Sequence, residues 1–357
     1  MSICDLVSAN PYIFSQTSGD QVRILHTVVE ALAFLASSPS SISATDQKPP
    51  FALLWIRTMR APFLQASLIP IVLGGVLAWQ LAGVFNWTLF LLSLVGGILI
   101  QVATNMFNDY FDFKSGNDLK VNHQNPFAGG GRILTTGLVG QRAHLLVSST
   151  SLLVGCLIGI YLLSTLNVPY LFWIGLIGVV SSYFYVGPPF RLAYRGVGEL
   201  VVGLNFGPIM TLGTYYVQTQ KLALAPVLAS IPVGLLIAAV LWINEFPDME
   251  ADGAVGKKTL VLRLGYSKSV AVYTSLVILS YLLVAAYILL GLIPLRYTTT
   301  LLVFLTIPIA AKAIGTLRRN YKDPHAIIPA NAGTIMLHLS FGILMILGFV
   351  AGGLLGI

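Results

Sequence analysis

Nine apolar stretches, each roughly 20 residues long, occupy most of this chain after Trp55. They cover residues 62–83, 87–108, 143–165, 168–187, 197–217, 224–244, 269–292, 297–315 and 330–356. A helix of this length crosses the hydrocarbon core of a bilayer and satisfies its own backbone polar groups. Only 9% of the residues are charged, against roughly 25% in an ordinary soluble domain. The sequence therefore predicts an all-α, polytopic membrane bundle of about nine transmembrane helices.

The basic residues predict how this bundle is oriented. After residue 50, sixteen Lys and Arg residues fall in loops on one side of the predicted helices, and only Lys221 and Arg296 fall on the other. The positive-inside rule places the richer side in the cytoplasm. The formal net charge of +7 is thus a topology signal and does not indicate nucleic-acid binding. We expect an integral, multi-pass protein of a bacterial cell (inner) membrane.

Residues 1–49 differ from the rest of the chain because they are mixed, Ser-rich and poorly periodic. They lack the basic start and early apolar run of a signal peptide. We predict a mobile N-terminal tail over 1–49 and a transmembrane domain over 50–357.

The acidic residues are concentrated in two copies of one pattern, Asn-x-x-x-Asp followed by a further Asp. Of 13 acidic residues, four precede residue 50, and seven of the remaining nine lie in or just after the two copies. The copies comprise Asn105, Asp109 and Asp112, and Asn244, Asp248 and Asp252. Positions three or four apart share a helix face, so each copy predicts a stripe of oxygen ligands. The copies lie at the ends of the second and sixth predicted helices. This suggests a weak parallel 4+4+1 repeat, in which helices 1–4 correspond to helices 5–8 and a ninth is added, with a site between the halves.

Carboxylates at a membrane boundary are costly and usually functional. Mg²⁺ prefers one or two carboxylates together with waters and substrate phosphate oxygens. Two facing stripes therefore predict a Mg²⁺ site that clamps a diphosphate, with the four Asp residues as the catalytic carboxylates. Glu245 and Glu250 are expected to point away from the second stripe.

Basic residues beside the stripes are candidate diphosphate contacts, because Arg binds phosphate bidentately and Lys acts as a point charge. They are Lys114, Arg132, Lys257, Lys258 and Arg263, with Arg191 and Arg195 as further candidates. Metal and bases together would neutralise a departing pyrophosphate, which favours ionisation of an allylic diphosphate to a carbocation. An electron-rich acceptor would then attack the cation. The aromatic rings of Tyr183, Tyr185 and Tyr194 are candidates for shielding it.

These motifs resemble those of the UbiA superfamily of intramembrane aromatic prenyltransferases. Asn108–Asp112 with Lys114–Gly116 resembles the first Asp-rich motif of the family, and Asn244–Asp248 with Gly256–Leu260 resembles the second. Tyr194–Glu199 is similar to a stretch of the 1,4-dihydroxy-2-naphthoate polyprenyltransferase branch, which serves menaquinone or phylloquinone synthesis.

The resemblance implies a fold of nine helices around a central cavity with a lateral opening to lipid. It also implies Mg²⁺ as cofactor, a polyprenyl diphosphate as donor and 1,4-dihydroxy-2-naphthoate as acceptor. Pro247 stands where the family pattern has a basic residue, a departure that bears on the acceptor and not on the metal site. The alternative acceptors are 4-hydroxybenzoate, homogentisate, a chlorophyllide and haem.

Two other classes of membrane protein also use clustered carboxylates. A cation-coupled secondary transporter would carry ionisable residues near the midplane and broken helices, whereas the acidic residues here lie at one end of their spans. An alcohol phosphotransferase would be expected to have one dense Asp-rich motif and not two separated copies.

Overall fold

The computed structural model describes residues 50–121, 125–127 and 133–355, and within these ranges every regular element is helical. The helices are α1 (Phe51–Thr58), α2 (Gln65–Ala82), α3 (Trp87–Ser115), α4 (Asn117–Lys120), α5 (Gln141–Thr165), α6 (Tyr170–Phe184), α7 (Gly198–Leu204), α8 (Met210–Thr219), α9 (Leu224–Ala254), α10 (Leu260–Leu289), α11 (Ile307–Asn320) and α12 (Ile328–Leu355). Short 3₁₀ segments cover Ala61–Phe63, Leu192–Arg195 and Leu295–Thr306. The tail predicted over 1–49 lies outside the described residues.

The all-α membrane bundle predicted from the sequence is confirmed. In the described part of the chain, eight helical segments are long and apolar enough to cross a membrane. The remaining predicted span, 168–187, forms α6, an apolar helix of only 15 residues. At about 1.5 Å per residue α6 is roughly 22 Å long, shorter than the hydrocarbon core of about 30 Å. Pro188 and Pro189 follow it closely, and proline cannot continue a helix.

The segment 198–219 crosses the bundle as an interrupted helix. A π-helical turn over Asn205–Ile209, which contains Pro208, joins α7 to α8. Proline has no backbone N–H and cannot donate a helical hydrogen bond. A π-helical turn accommodates this missing bond within the helix. Here the backbone approaches α9 so closely that a Cβ atom on Gly207 would lie 2.7 Å from the Cα atom of Gly234. Small residues at such crossings are typical of packing in lipid.

The central and peripheral helices differ in how much of their surface other helices cover. In the segment containing α2, 78% of the apolar window is buried, whereas in α5 only 22% is buried. The outer faces of α5 and α6 carry exposed Leu153, Leu157, Phe172 and Trp173. An exposed apolar surface of this kind suits contact with lipid acyl chains.

The two acidic copies extend α3 and α9 beyond their apolar stretches and end at the same end of the bundle, which we call the motif end. Gly116 ends α3 with φ 78°, the left-handed conformation that favours glycine. The helix ends meet through α4, where the Asn117 side-chain amide donates to Asp252 Oδ1 (2.9 Å) and Lys120 Nζ donates to the Ala254 carbonyl (2.9 Å). This arrangement places both copies around one site, and the internal repeat stays a prediction.

Candidate functional site

An elongated cavity of about 520 Å³ opens at the motif end. Its polar lining consists mainly of Arg60, Asn105, Asn108, Asp112, Asn117, Asp118, Asn244, Glu245, Asp248, Asp252 and Lys257. From there it continues between α3, α5, α6 and α8 along mostly apolar side chains. The lining on α3 runs from Asp112 to Leu92, a distance of roughly 30 Å along the helix. One cavity thus joins a charged mouth to a long apolar channel.

Five of the six residues in the two predicted stripes line this cavity. The sixth, Asp109, is buried beside it, and its Oδ1 atom lies 3.5 Å from a guanidinium nitrogen of Arg60. The sequence reasoning counted Arg60 among the basic residues that set the topology and gave it no role in the site. Its backbone has a left-handed conformation with φ 55°, and no sequence pattern predicted this conformation. Its side chain contributes a positive charge to the cavity lining.

Lys257 links the two stripes directly. Its Nζ atom lies 3.5 Å from Asp112 Oδ2 and 3.3 Å from Asp252 Oδ1. Burial disfavours the charged ammonium, but Asp112 and Asp252 outweigh it and hold the pKa of Lys257 well above its usual value. A permanent positive charge therefore stands between carboxylates of α3 and α9.

Among the described residues, the cavity mouth has more carboxylates than bases to balance them. Burial, together with the nearby Asp112 and Asp109, raises the pKa of Asp118 to about 8. Buried oxygens at this mouth that have no hydrogen-bond partner include Asn108 Oδ1, Asn117 Oδ1 and Asp252 Oδ2. Buried polar atoms are normally satisfied, and hard oxygens of this kind are what Mg²⁺ binds. The donor set therefore fits divalent cations.

Protein carboxylates alone do not form a complete metal cage here. Within the described ranges, no group of three or more His, Cys, Asp or Glu side chains lies close enough to hold an ion. Mg²⁺ usually keeps several waters and takes one or two carboxylates together with substrate phosphates. The amide oxygens of Asn108 and Asn117 add donors of another type. The geometry therefore suits ions that are held jointly by the protein and a bound diphosphate.

Glu245 contradicts the expectation that it points away from the second stripe. It is buried and lines the cavity, whereas Glu250 is exposed. Positions 245, 248 and 252 are spaced by three and four residues, so they share one face of α9. The spacing was readable from the sequence. Beside this face, Glu199 is buried, and its Oε1 atom accepts a hydrogen bond from the backbone N–H of Leu260 (2.8 Å) at the start of α10.

The three tyrosines near the motif end occupy different positions. Tyr185 lines the cavity, while Tyr183 packs edge-on against Phe107 and Phe111 and is not part of the lining. The Tyr194 hydroxyl donates to Asp112 Oδ1 (3.1 Å). Burial and the adjacent Asp112 raise the pKa of Tyr194 to about 12, so the phenol stays neutral and remains a donor.

The remaining predicted bases that belong to the described residues do not line the main cavity. Lys114 and Arg191 line a separate pocket beside Tyr194. Lys258 is exposed. Arg263 donates to the backbone carbonyls of Lys258 (2.9 Å) and Arg195 (2.8 Å), which ties the loop after α9 to the loop before α7.

The last two bases of the predicted set, Arg195 and Arg132, make no described contact with the main cavity. Arg195 is exposed, and its guanidinium lies 3.4 Å from the Pro189 carbonyl. Arg132 lies outside the described residues, so its predicted contact with a diphosphate stays a prediction.

Comparisons with known proteins agree with this geometry. The sequence model of the UbiA prenyltransferase family matches residues 67–340. A 1,4-dihydroxy-2-naphthoate octaprenyltransferase from Bacillus subtilis is 31% identical over 298 residues, which cover 84% of this chain and 92% of that protein. A 2-carboxy-1,4-naphthoquinone phytyltransferase from Synechocystis is 30% identical over 317 residues, which cover 88% and 99%.

Solved structures show the same fold at low sequence identity. A UbiA homologue from Aeropyrum pernix matches with a TM-score of 0.60 and 15% identity over 80% of this chain and 96% of that one. A UbiA homologue from Archaeoglobus fulgidus, bound to GPP and Mg²⁺, matches with a TM-score of 0.54 and 16% identity over 82% and 99%. The helical bundle, the paired acidic stripes and these matches agree: the chain belongs to the UbiA prenyltransferase family and is a membrane-embedded prenyltransferase.

Proposed function

We propose that this protein transfers a polyprenyl group from its diphosphate to 1,4-dihydroxy-2-naphthoate, as a step of menaquinone or phylloquinone synthesis. The observation that carries the proposal is the single cavity with an acidic mouth and a long apolar channel. The named activities of the relatives from Bacillus subtilis and Synechocystis support the naphthoate class of acceptor. The transporter and phosphotransferase alternatives are not retained, because the family match covers most of the chain.

Mg²⁺ is the proposed cofactor, and the oxygens at the cavity mouth fit it. Asp112, Asp248 and Asp252 would hold it, with Asn105 and Asn244 beside them and Asp109 in support. Bound there, Mg²⁺ would supply the positive charge that stabilises the departing pyrophosphate. A relative of this fold has been solved with Mg²⁺ and GPP together, which supports the assignment.

In the described part of the chain, two bases face the place where the diphosphate would sit. Lys257 and Arg60 line the mouth, and both lie within 4 Å of carboxylates from the stripes. A diphosphate bound between the stripes would therefore meet fixed positive charges without further rearrangement. The basic end of the bundle, and with it the active site, is proposed to face the cytoplasm.

The apolar channel has two roles in this proposal. It buries the prenyl chain and removes its apolar surface from water. It also limits the access of water to the carbocation, which favours capture by the acceptor over hydrolysis. Tyr185, in the lining, presents an aromatic ring near the mouth, and such a ring stabilises a nearby cation.

The acceptor step balances without an additional reagent. The ring carbon that bears the carboxylate attacks the first carbon of the prenyl group, whose bond to the diphosphate oxygen breaks. The carboxylate then leaves as CO₂, and the electron pair of that bond restores the aromatic ring. The products are a prenylated naphthoquinol, CO₂ and pyrophosphate.

Product analysis tests the proposal. Purified protein in lipid nanodiscs receives Mg²⁺, a labelled prenyl diphosphate and, in parallel, 1,4-dihydroxy-2-naphthoate, 4-hydroxybenzoate or homogentisate. We expect mass spectrometry to find the decarboxylated prenyl naphthoquinol. Prenylation of 4-hydroxybenzoate or homogentisate with no naphthoate product would overturn the proposed acceptor and leave the prenyl chemistry standing.

A further inference from the structure

Three asparagine side chains form a buried hydrogen-bond network beside the second acidic copy. Asn331 of α12 donates through Nδ2 to Asn244 Oδ1 (2.8 Å) and to the Ile243 carbonyl (3.2 Å). Its Oδ1 atom accepts from Asn125 Nδ2 (3.1 Å), in the segment between α4 and α5. Asn331 has no exposed surface and does not line the main cavity. The network therefore reaches Asn244 from the interior of the bundle.

Backbone groups fix which way the amides of this network point. A carbonyl oxygen can only accept, so the atom of Asn331 that faces the Ile243 carbonyl is the amide nitrogen. The amide nitrogen of Asn125 likewise faces the Pro324 carbonyl (3.3 Å), and its Oδ1 atom accepts from the backbone N–H of Phe127 (3.0 Å). Inverting either amide would place like groups against each other, and this determines the assignment of oxygen and nitrogen.

The network decides which atom Asn244 presents to the cavity. Both hydrogens of the Asn331 amide are used, one of them by Asn244 Oδ1. Asn244 lines the cavity and Asn331 does not, so the oxygen of the Asn244 amide is turned towards the interior. The oxygen and the nitrogen of a planar amide point in different directions. Asn244 therefore offers its N–H groups, and not its oxygen, to a ligand in the cavity.

The matching residue of the first acidic copy has the opposite orientation. Asn105 Nδ2 donates to the Met59 carbonyl (3.2 Å), which fixes the nitrogen on that side of the amide. Asn105 also lines the cavity, and its oxygen is the atom left for a ligand there. The two copies are alike in sequence, but one presents an oxygen and the other an N–H donor.

These two atoms suit different ligands. An amide oxygen binds Mg²⁺, whereas an amide N–H repels a cation and donates to the oxygen of an anion. In the proposed site, the anion between the stripes is the diphosphate of the prenyl substrate. A hydrogen bond to such an anion is charge-assisted. A donor that is already held in place also needs no reorganisation when charge develops on the departing group.

We propose that Asn244 donates a hydrogen bond to the diphosphate of the prenyl substrate and is not a ligand of Mg²⁺, and that Asn331 is the positioning residue that holds its amide in this orientation. This inference rests on the proposed function, because it assumes a prenyl diphosphate and Mg²⁺ at the cavity mouth. It reassigns Asn244 from the metal, where the duplicated pattern placed it, to the diphosphate. Asn105 keeps the role of an oxygen ligand.

The first experiment measures binding without turnover. Calorimetry in lipid nanodiscs gives Kd for geranyl S-thiolodiphosphate, whose carbon–sulfur bond resists ionisation, over a range of Mg²⁺ concentrations. In Asn244→Ala, we expect Kd to rise about tenfold at every Mg²⁺ concentration, including saturation, because a charged hydrogen bond is lost. Asn105→Ala is the matched comparison from the other copy. It should raise the Mg²⁺ concentration needed for half-maximal binding, and its defect should shrink as Mg²⁺ rises.

The second experiment tests the positioning role of Asn331. Asn331→Leu frees the Asn244 amide, so Kd for the analogue should rise about threefold to tenfold. Combined with Asn244→Ala it should add no further loss, because the two residues act as one unit. Asn331→Asp is an independent variant of the same size. Its carboxylate can only accept, so the Asn244 amide must invert. This variant should lose affinity for the analogue as Asn244→Ala does, but reach half-maximal binding at a lower Mg²⁺ concentration.

The outcomes separate this inference from the proposed function. If Asn244→Ala binds the analogue like the wild type, or if its defect disappears as Mg²⁺ rises, the inference is refuted. If Asn331→Leu weakens binding in the double variant as much as it does alone, Asn331 does not act through Asn244. No aromatic acceptor is present in these measurements, so a failure to prenylate 1,4-dihydroxy-2-naphthoate would refute the proposed acceptor alone. A wild type that does not bind the analogue in Mg²⁺ would refute both.

Discussion

Removal of the Lys257 charge tests the central feature of the proposed site, which is a base that shares its carboxylates with the proposed metal ion. Lys257 Nζ lies within 3.5 Å of both Asp112 and Asp252, and its side chain is only 14% exposed. At these separations each pair is attracted by roughly 5 kcal/mol at an effective dielectric constant near 20, before desolvation is subtracted. Loss of one partner of a buried pair costs about 3–5 kcal/mol. Because the cavity is open, we expect about 3 kcal/mol for Lys257→Gln.

The loss of folding stability in Lys257→Gln should depend on Mg²⁺. Without the ammonium, Asp112 and Asp252 repel each other and bind a cation more tightly. A ligand at a hundred times its Kd stabilises the folded state by about 2.7 kcal/mol, which nearly matches the loss. We therefore expect the variant to melt about 4 °C below the wild type in EDTA and to recover most of that difference in Mg²⁺. The wild type should gain less from Mg²⁺ than the variant does.

Thermal melting in detergent with and without Mg²⁺ measures how much more the variant gains from Mg²⁺ than the wild type does. Lys268→Gln serves as the surface control. In turnover, kcat/KM for the prenyl diphosphate should fall about 10–100-fold in Lys257→Gln, because a charged hydrogen bond to the phosphate is lost. Equal stabilisation of both proteins by Mg²⁺, or a variant as stable as the wild type in EDTA, would refute the reasoning.

Four further predictions follow from the site and the topology. Asp109→Ala and Asp248→Ala should each abolish turnover in protein that still inserts, and EDTA should do so reversibly; activity in EDTA would contradict the metal site. Cysteines placed beside Lys120 and Lys257 should react only from the cytoplasmic side, and one beside Lys221 only from the other, so labelling of the first two from opposite sides would refute the topology. A chain that begins near residue 48 should turn over like the full protein at equal membrane levels. In Gly178→Phe, a ring should enter the channel, since a Cβ atom there meets no atom within 4 Å; kcat/KM should fall more for a long prenyl diphosphate than for geranyl diphosphate.

Much of the fold was predictable because lipid leaves few alternatives. Each of the nine apolar stretches contains a helix, since a spanning segment must satisfy its own backbone. The residues at which the helices end were less predictable. The Asp-rich ends of α3 and α9 continue the helices past the apolar stretches, because Asp109, Asp112 and Asp252 are buried against neighbouring helices. A hydropathy pattern alone would end each helix at its first acidic residue.

Contacts between distant loops were not predictable from the sequence. Tyr194 meets Asp112 across 82 positions, and Arg263 meets Arg195 across 68. Such pairs depend on how the loop before α7 packs on the loop after α9, and no local pattern encodes that packing. The same packing decides which predicted bases face the cavity. Lys257 points between the stripes, whereas its neighbour Lys258 is exposed.

The departure in the second acidic copy has a structural consequence of its own. Pro247 cannot supply a base to the mouth, and Glu245 adds a carboxyl group to the lining beside Asp248. Among the described residues, the positive charges that line the main cavity are Arg60 and Lys257, and both lie against carboxylates of the stripes. An acidic acceptor that enters this mouth would meet several carboxylates there and no unpaired base among the described lining residues.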